Sequence, residues 1–311
     1  MPLQANGETP GEDSGAGERL TGVVDFHIHS SPDVFPRTVS AISAAEAAKR
    51  AGMGAIVVKS HVTDSSARAE TARELTGFPV YGGVALNISV GGLNPYAVAE
   101  SVRQGGRVVW MPTITSRHFV KLADHSPMLK SGIPAGFDGI TVTDERGRLK
   151  SEAERILEIV AEHGLVLCSG HLSPDESATL FQRAHELGIE RLVVTHPNAP
   201  FVGVPTDIQR DLAGFGAFLE WTPQGTIAER AEAIRAVGAA CSFLSTDAGS
   251  MAALRPVPLM AGYIEAMRAE GFTEDELHSM TVTVPSYLLG LEGFGRPDTA
   301  TVARREEASQ T

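Results

Sequence analysis

Residues 23–33, VVDFHIHSSPD, place two histidines, separated by a single isoleucine, at the end of a short apolar run. A run of this length bounded by Ser, Pro and Asp reads as a buried strand passing into a loop. Side chains two apart on a strand share a face, so His27 and His29 point the same way. Two neutral imidazoles so placed can chelate one divalent ion at about 2.0–2.1 Å each. On this motif alone, a hydrogen-bonded histidine pair in a strand-to-loop turn is the competing reading.

Seven similar runs follow the first, GVVDFHIH (22–29). They are GAIVVKSH (54–61), PVYGGVALN (79–87), RVVWMPT (107–113), GLVLCSGH (164–171), RLVVTHP (191–197), AFLEWT (217–222) and CSFLSTD (241–247). Near-continuous apolar strands belong to parallel sheets covered on both faces. The intervening segments carry helix signals: the alanine-rich 40–52, and Ser/Thr-x-x-Glu capping boxes at Ser151, Ser173 and Thr273. Eight β–α alternations predict an α/β fold, a single-domain (β/α)8 TIM barrel over 21–295. Residues 114–150 are too long for a plain connection. They predict an insertion after strand four, with a small hairpin around Arg146-Gly147. The polar segments 1–20 and 296–311 read as a disordered lead-in, without the character of a secretion signal, and a flexible tail.

Composition narrows the function. The chain has 311 residues, 42% hydrophobic, with a formal net charge of −12. That balance argues against nucleic acid or an anionic membrane as partner, and no apolar run approaches the length of a membrane span. Its two cysteines, Cys168 and Cys241, lie in apolar runs and read as buried thiols of a reducing, cytoplasmic compartment. Cys168 stands three residues before His171 and is expected on the opposite face.

Polar residues fall where a barrel needs none for packing. His171, His196 and Asp247 end the fifth, sixth and eighth runs, and at the C-terminal mouth of a barrel such positions converge on the axis. The combination DFHIH, SGH, VTHP and STD resembles the amidohydrolase superfamily of metal-dependent hydrolases. TVTVPSYLLGL (281–291) resembles the helix in which those enzymes often carry an Asn-Pro-Ala-type motif. The likeness covers roughly residues 22–291. It implies that His27, His29 and Asp247 hold one metal. His171 and His196 would hold a second, or His171 would join the first while His196 contacts substrate. It further implies zinc, with manganese or iron as alternatives, and Asp247 as base and then acid towards a small amide, cyclic amide or lactone. His196 or Lys59 would stabilise the oxyanion. A homo-oligomer stays open.

One departure matters. Two-metal relatives usually bridge their ions with a carboxylated lysine or a glutamate on strand four, but that run here ends WMPT. Instead Lys59, one of only 5 lysines, ends the second run. Three roles compete: a carboxylated bridge, an ammonium that binds a substrate carboxylate or phosphate, or an ion pair with Asp247 or another acid at the rim. His61 and Asn87 are further candidates for substrate contact, and Glu220 for lining the pocket. His61 with Asp33 also invites comparison with the polymerase-and-histidinol-phosphatase family, whose three metals hydrolyse phosphoesters. A metal-dependent decarboxylase is another alternative, and a non-catalytic small-molecule binder the least favoured. His118, Lys121 and His125 read as exposed loop residues.

Overall fold

A computed structural model describes residues 20–297 apart from 123, 125, 126 and 250–254, together with residue 299. The expected lead-in up to residue 19, most of the tail and His125 lie outside the described residues. Leu20, the first described residue, is fully buried.

Strand segments form at every apolar run. They are β1 (Val24–His29), β2 (Ala55–Lys59), β3 (Val80–Tyr81), β4 (Gly83–Ala85), β5 (Val108–Trp110), β6 (Val166–Cys168), β7 (Leu192–Val194), β8 (Ala217–Trp221) and β9 (Ser242–Leu244). β3 and β4 are halves of one run divided at Gly82, so the segments occupy eight barrel positions. Pairing is parallel throughout, in the orders β1-β2-β3 and β4 to β9. The main outer helices are α1 (Ala41–Arg50), α2 (Ser66–Thr76), α3 (Pro95–Arg103), α6 (Ser151–His163), α7 (Pro174–Glu186), α8 (Thr206–Gly214), α9 (Ile227–Val237) and α10 (Pro256–Ala269). The expected TIM barrel is the architecture found.

Alternation along the strands sorts the apolar residues into two layers. Ile56, Val58, Val109, Leu167, Leu192, Val194 and Leu219 pack outward against the helices. Phe26, Val57, Trp110, Val166, Cys168, Val193, Phe218 and Phe243 fill the barrel interior. The 281–291 segment becomes a π-helical turn, Ser279–Thr283, and α12 (Val284–Leu289), whose Val284, Leu288 and Leu289 join that interior layer. Cys168 therefore sits inside the barrel, contrary to the alternation argument. Its strand stops at Cys168, and Gly170 at φ +62° turns the chain before His171.

β1 carries a bulge that the alternating pattern conceals. Val24 pairs with Ala55 and Asp25 with Ile56, but Ile28 pairs with Val58, so Phe26 and His27 together stand opposite Val57. The extra residue lets Phe26 fill the interior while His27 and His29 also face inward. Asp25 is thereby turned to the seam between β1 and the segment after β9. Its carboxylate accepts Thr246 N (3.0 Å), Thr246 Oγ1 (2.5 Å) and His27 N (3.3 Å). A parallel bridge between Ile28 and Ala248, with His29 N donating to Ala248 O at 2.7 Å, ties β1 to the segment after β9. Burial pushes the Asp25 carboxyl up to about 6, against the opposing pull of the Thr246 bonds. Gly249 packs on this turn at φ +114°, where a Cβ would lie 1.8 Å from His29 O.

The insertion after strand four contains α4 (Arg117–Leu122), α5 (Pro127–Lys130) and, around Arg146-Gly147, the expected small hairpin, reduced to one antiparallel bridge from Thr143 to Leu149. His118 pins this insertion to the β7 loop through Val202 O, 2.9 Å from its Nε2. The capping box forms fully at α11 (Glu274–His278), where Thr273 and Glu276 bond reciprocally. It does not form at α6: Lys150 is the N-cap, and the Ser151 hydroxyl donates to Glu152. At α7, Ser173 caps as expected, but Glu176 reaches away to Val142 N. Among the described residues no helix is long and apolar enough to cross a membrane.

Candidate metal centre

The parallel barrel brings the strand-end residues to one mouth. His27 Nε2, His29 Nε2 and Asp247 Oδ1 form a triangle with all three sides 3.2 Å. Donors about 2.0–2.1 Å from a common ion in tetrahedral geometry stand about 3.3–3.4 Å apart, so the triangle fits a divalent cation. These residues are the one such donor group of three among the described residues.

The hydrogen-bond pattern prepares that group. Glu220 Oε1 lies 3.0 Å from His27 Nδ1. A carboxylate only accepts, so the proton sits on Nδ1 and the Nε2 lone pair faces His29 and Asp247. Burial would raise the Glu220 carboxyl, but the His27 imidazole beside it holds it below its ordinary value. Burial would likewise raise Asp247; His27, His29 and His196 outweigh it and keep the carboxyl well below its usual range. Gln224 donates to Asp247 Oδ2 at 3.2 Å, fixing the carboxylate from its other side. Burial holds His29 down to about 3 and His196 down to about 4. It also lowers His61 and His171 well below their ordinary range. At neutral pH these imidazoles are uncharged, the form a metal requires.

His171 and His196 come together beside the triangle, their ring centroids 5.0 Å apart, and His196 stacks 5.8 Å from His27. Both ring nitrogens of His171, and Nδ1 of His196, are buried without a hydrogen-bond partner. Such orphaned donors and acceptors are costly in a folded chain unless a ligand uses them. Among the described residues, His196 (φ +25°) and Asp247 (φ +48°) are also the non-glycine residues with positive φ. Backbone strain of this kind gathers at functional sites.

Lys59 is fully buried, with Nζ 3.1 Å from His27 Nε2 and 5.3 Å above the Trp110 ring. Burial lowers its amine, opposed by Asp247 and Glu220. The contact it makes is with His27, not the ion pair with Asp247 offered by the sequence. His61 reaches the site and lies 4.6 Å from the His29 ring, while its Nδ1 is paired at 2.9 Å with Thr113 Oγ1. Asn87 does not line the site cavity. Its amide donates to His61 O and Thr113 Oγ1 and accepts from Thr113 N, Thr115 N and Thr115 Oγ1. It is a tie between two loops, saturated where a substrate contact was expected. Asp33 is also diverted, accepting Arg37 Nε at 2.9 Å.

The mouth cavity has a volume of about 250 Å³. Its walls include His29, His61, His171, His196 and Asp247, with Arg37, Phe201 and Gln224 added. Met128 and Leu129, from α5, complete it. A larger cavity of about 530 Å³ opens at the other end of the strands, beside Val80, Arg107 and Leu165, and none of the strand-end histidines lines it. Sequence reasoning missed Arg37 and Gln224: Arg37 lies in a loop away from any apolar run, and Gln224 lies past Pro223, beyond the end of β8, where strand alternation no longer sets a direction.

The sequence profile of a family of unknown function (DUF6282) matches residues 22–220. The chain belongs to that family. No curated protein matches it. Solved structures do. An organophosphorus hydrolase from Deinococcus radiodurans superposes with a TM-score of 0.50 at 15% identity, covering 86% of this chain and 92% of that one. A protein assigned as a 2-pyrone-4,6-dicarboxylic acid hydrolase, from Pseudomonas putida, gives 0.54 at 14%, covering 88% and 98%. A 2,6-dihydroxybenzoate decarboxylase from Rhizobium gives 0.51 at 12%, covering 88% and 100%. At these identities the likeness is one of fold, that of the α/β barrel expected from the eight apolar runs.

Proposed function

We propose that this DUF6282 member is a metal-dependent hydrolase of a small amide, cyclic amide or lactone. The observation that carries the reading is the triangle of His27 Nε2, His29 Nε2 and Asp247 Oδ1, with Glu220 behind it. These three residues would hold a divalent cation, with zinc suited to the nitrogen-rich set and manganese or iron as substitutes. Such an ion supplies Lewis acidity, activating water and polarising the bond under attack. Asp247 takes the proton from the attacking water and returns it to the leaving group. Gln224 keeps the carboxylate aimed during both transfers. His196, neutral and at the rim of the same cavity, donates to the oxyanion that develops on substrate. Met128, Leu129 and Phe201 exclude bulk water.

The named activities of the structural relatives, two hydrolases and a decarboxylase, support a hydrolase or lyase on this fold. Carboxylation of Lys59 would place a bridge between the triangle and the His171–His196 pair. Its support is the position of Nζ, where an ammonium would compete with a cation for the His27 lone pair. The polymerase-and-histidinol-phosphatase alternative loses ground, since Asp33 is bound to Arg37 and His61 Nδ1 to Thr113. Buried free Cys168 and Cys241 suit a reducing, cytoplasmic setting.

Elemental analysis of the purified chain tests the metal, and intact mass tests Lys59. One ion per chain with an unmodified mass leaves Lys59 as a substrate contact. Two ions with an added carbon dioxide support the bridge. A chain without metal that hydrolyses its substrates equally well in chelator overturns the reading.

A further inference from the structure

Arg37 is the cavity residue whose chemistry the proposed reaction leaves unused. Its side chain is 2% exposed, and that of its partner Asp33 is 0% exposed. The pair is single-pronged: Asp33 Oδ2 accepts from Nε alone, at 2.9 Å. A guanidinium buried for structure alone is expected to take a carboxylate in both prongs of its fork. Here Nη2 is buried with no hydrogen-bond partner, while Arg37 lines the same cavity as His29, His171, His196 and Asp247. An unpaired N–H on a buried cation is costly to leave unmade, whereas an anionic ligand in the cavity satisfies it. The Phe35 ring lies 5.4 Å from the guanidinium carbon, and the Asp33 bond fixes the other edge, so the open fork is held in one orientation. Its charge helps keep His29 and His61 neutral, which places it within electrostatic reach of the donor triangle.

We infer that Arg37 binds a carboxylate carried by the substrate, so that the molecule hydrolysed is a small amide or lactone bearing a carboxylate away from the bond that breaks. The inference rests on the proposed function for the reacting end and on Arg37 for the anionic end. A carboxylate rather than a phosphate fits for two reasons. Asp33 already shares the single guanidinium charge, and Asp247 faces the same cavity, so a dianion would meet repulsion. The cavity, about 250 Å³, lies below the roughly 300–1,000 Å³ usual for drug-sized ligands, so the substrate is small.

The test is calorimetric titration of the metal-loaded full chain with succinamate, which carries one carboxylate, its neutral diamide and inorganic phosphate. Metal content and circular dichroism are recorded for every variant. Succinamate is expected to bind about tenfold or more tightly than the diamide. Arg37→Met is expected to erase that preference without changing metal content, and Arg37→Lys to recover part of it. If Arg37→Met misfolds because Asp33 is stranded, the pair Asp33→Asn with Arg37→Gln removes both charges and answers the same question. Equal succinamate affinity in the wild type and a folded Arg37 variant overturns the inference. So does absence of succinamate binding, or an Arg37-dependent preference for phosphate. Arg37-dependent succinamate binding by a chain that takes up no metal would sink the hydrolase reading and keep the anion site. Metal-dependent hydrolysis of neutral lactones with no discrimination for charge would do the reverse.

Discussion

Glu220 Oε1 and His27 Nδ1 stand 3.0 Å apart, both buried, with the other nitrogen of that imidazole facing His29 and Asp247. The contact joins β8 to β1 across 193 residues and decides which nitrogen of His27 carries the lone pair. Glu220→Gln keeps an acceptor but removes the charge that favours this tautomer. Metal affinity is expected to fall about 10–100-fold. Competition with a chromogenic chelator measures it, and an unchanged affinity would deny Glu220 its orienting role.

Asp247 presents Oδ1 to the histidine pair and Oδ2 to Gln224, and its side chain is 18% exposed, open to the cavity. Asp247→Asn keeps the size and removes the basic oxygen. With metal content matched, kcat on any active substrate should drop about 10²–10⁴-fold. Gln224→Ala, which frees the carboxylate without removing it, should cost less. Full activity in Asp247→Asn would assign the proton transfer elsewhere.

Acid should destabilise the metal-free chain. His29 and His196 are held near 3 and 4, against 6.5 when unfolded, so between those values the unfolded chain binds more protons. The stability they contribute is complete above about pH 6.5 and is lost as pH falls towards 4. Asp25 acts in the opposite sense: raised from 3.8 to about 6, it favours the fold at low pH and loses that advantage as pH rises through 6. His61 and His171 shift in the same direction as the first pair, so the histidines dominate. The urea midpoint of chelator-treated protein should fall from pH 7 to pH 4.5. A midpoint that stays level would mean these imidazoles accept protons in the folded chain.

Thr246→Val tests the seam. The hydroxyl donates to the buried Asp25 carboxylate at the junction of β1 with the segment after β9. Its removal should lower stability by about 1–3 kcal/mol. The loss should be larger at pH 8, where Asp25 is ionised, than at pH 5, where a protonated carboxyl needs the donor less. Thermal unfolding at the two pH values reads the difference. Equal losses would point to packing instead.

Much of this protein was written locally. Apolar runs alternating with helix signals specify a covered parallel sheet, and a polar residue at the end of an apolar strand is visible because burial makes it expensive. His27, His29, His171, His196 and Asp247 were readable on those grounds. Alternation fails wherever a strand stops or bulges. It placed Cys168 on the wrong face because Gly170 had already turned the chain, and it could not see Phe26 and His27 sharing one position opposite Val57. Tertiary structure alone decided the partners of side chains in the loops. Asn87 became a tie between loops, Asp33 became the anchor of Arg37, and Gln224 came to rest on Asp247. The physical reason is one of range. Strand and helix patterns repeat every two or 3.6 residues and are set by near neighbours, whereas a loop's direction is settled by hydrogen bonds to segments far away in the chain. Those bonds exist only once the barrel has closed.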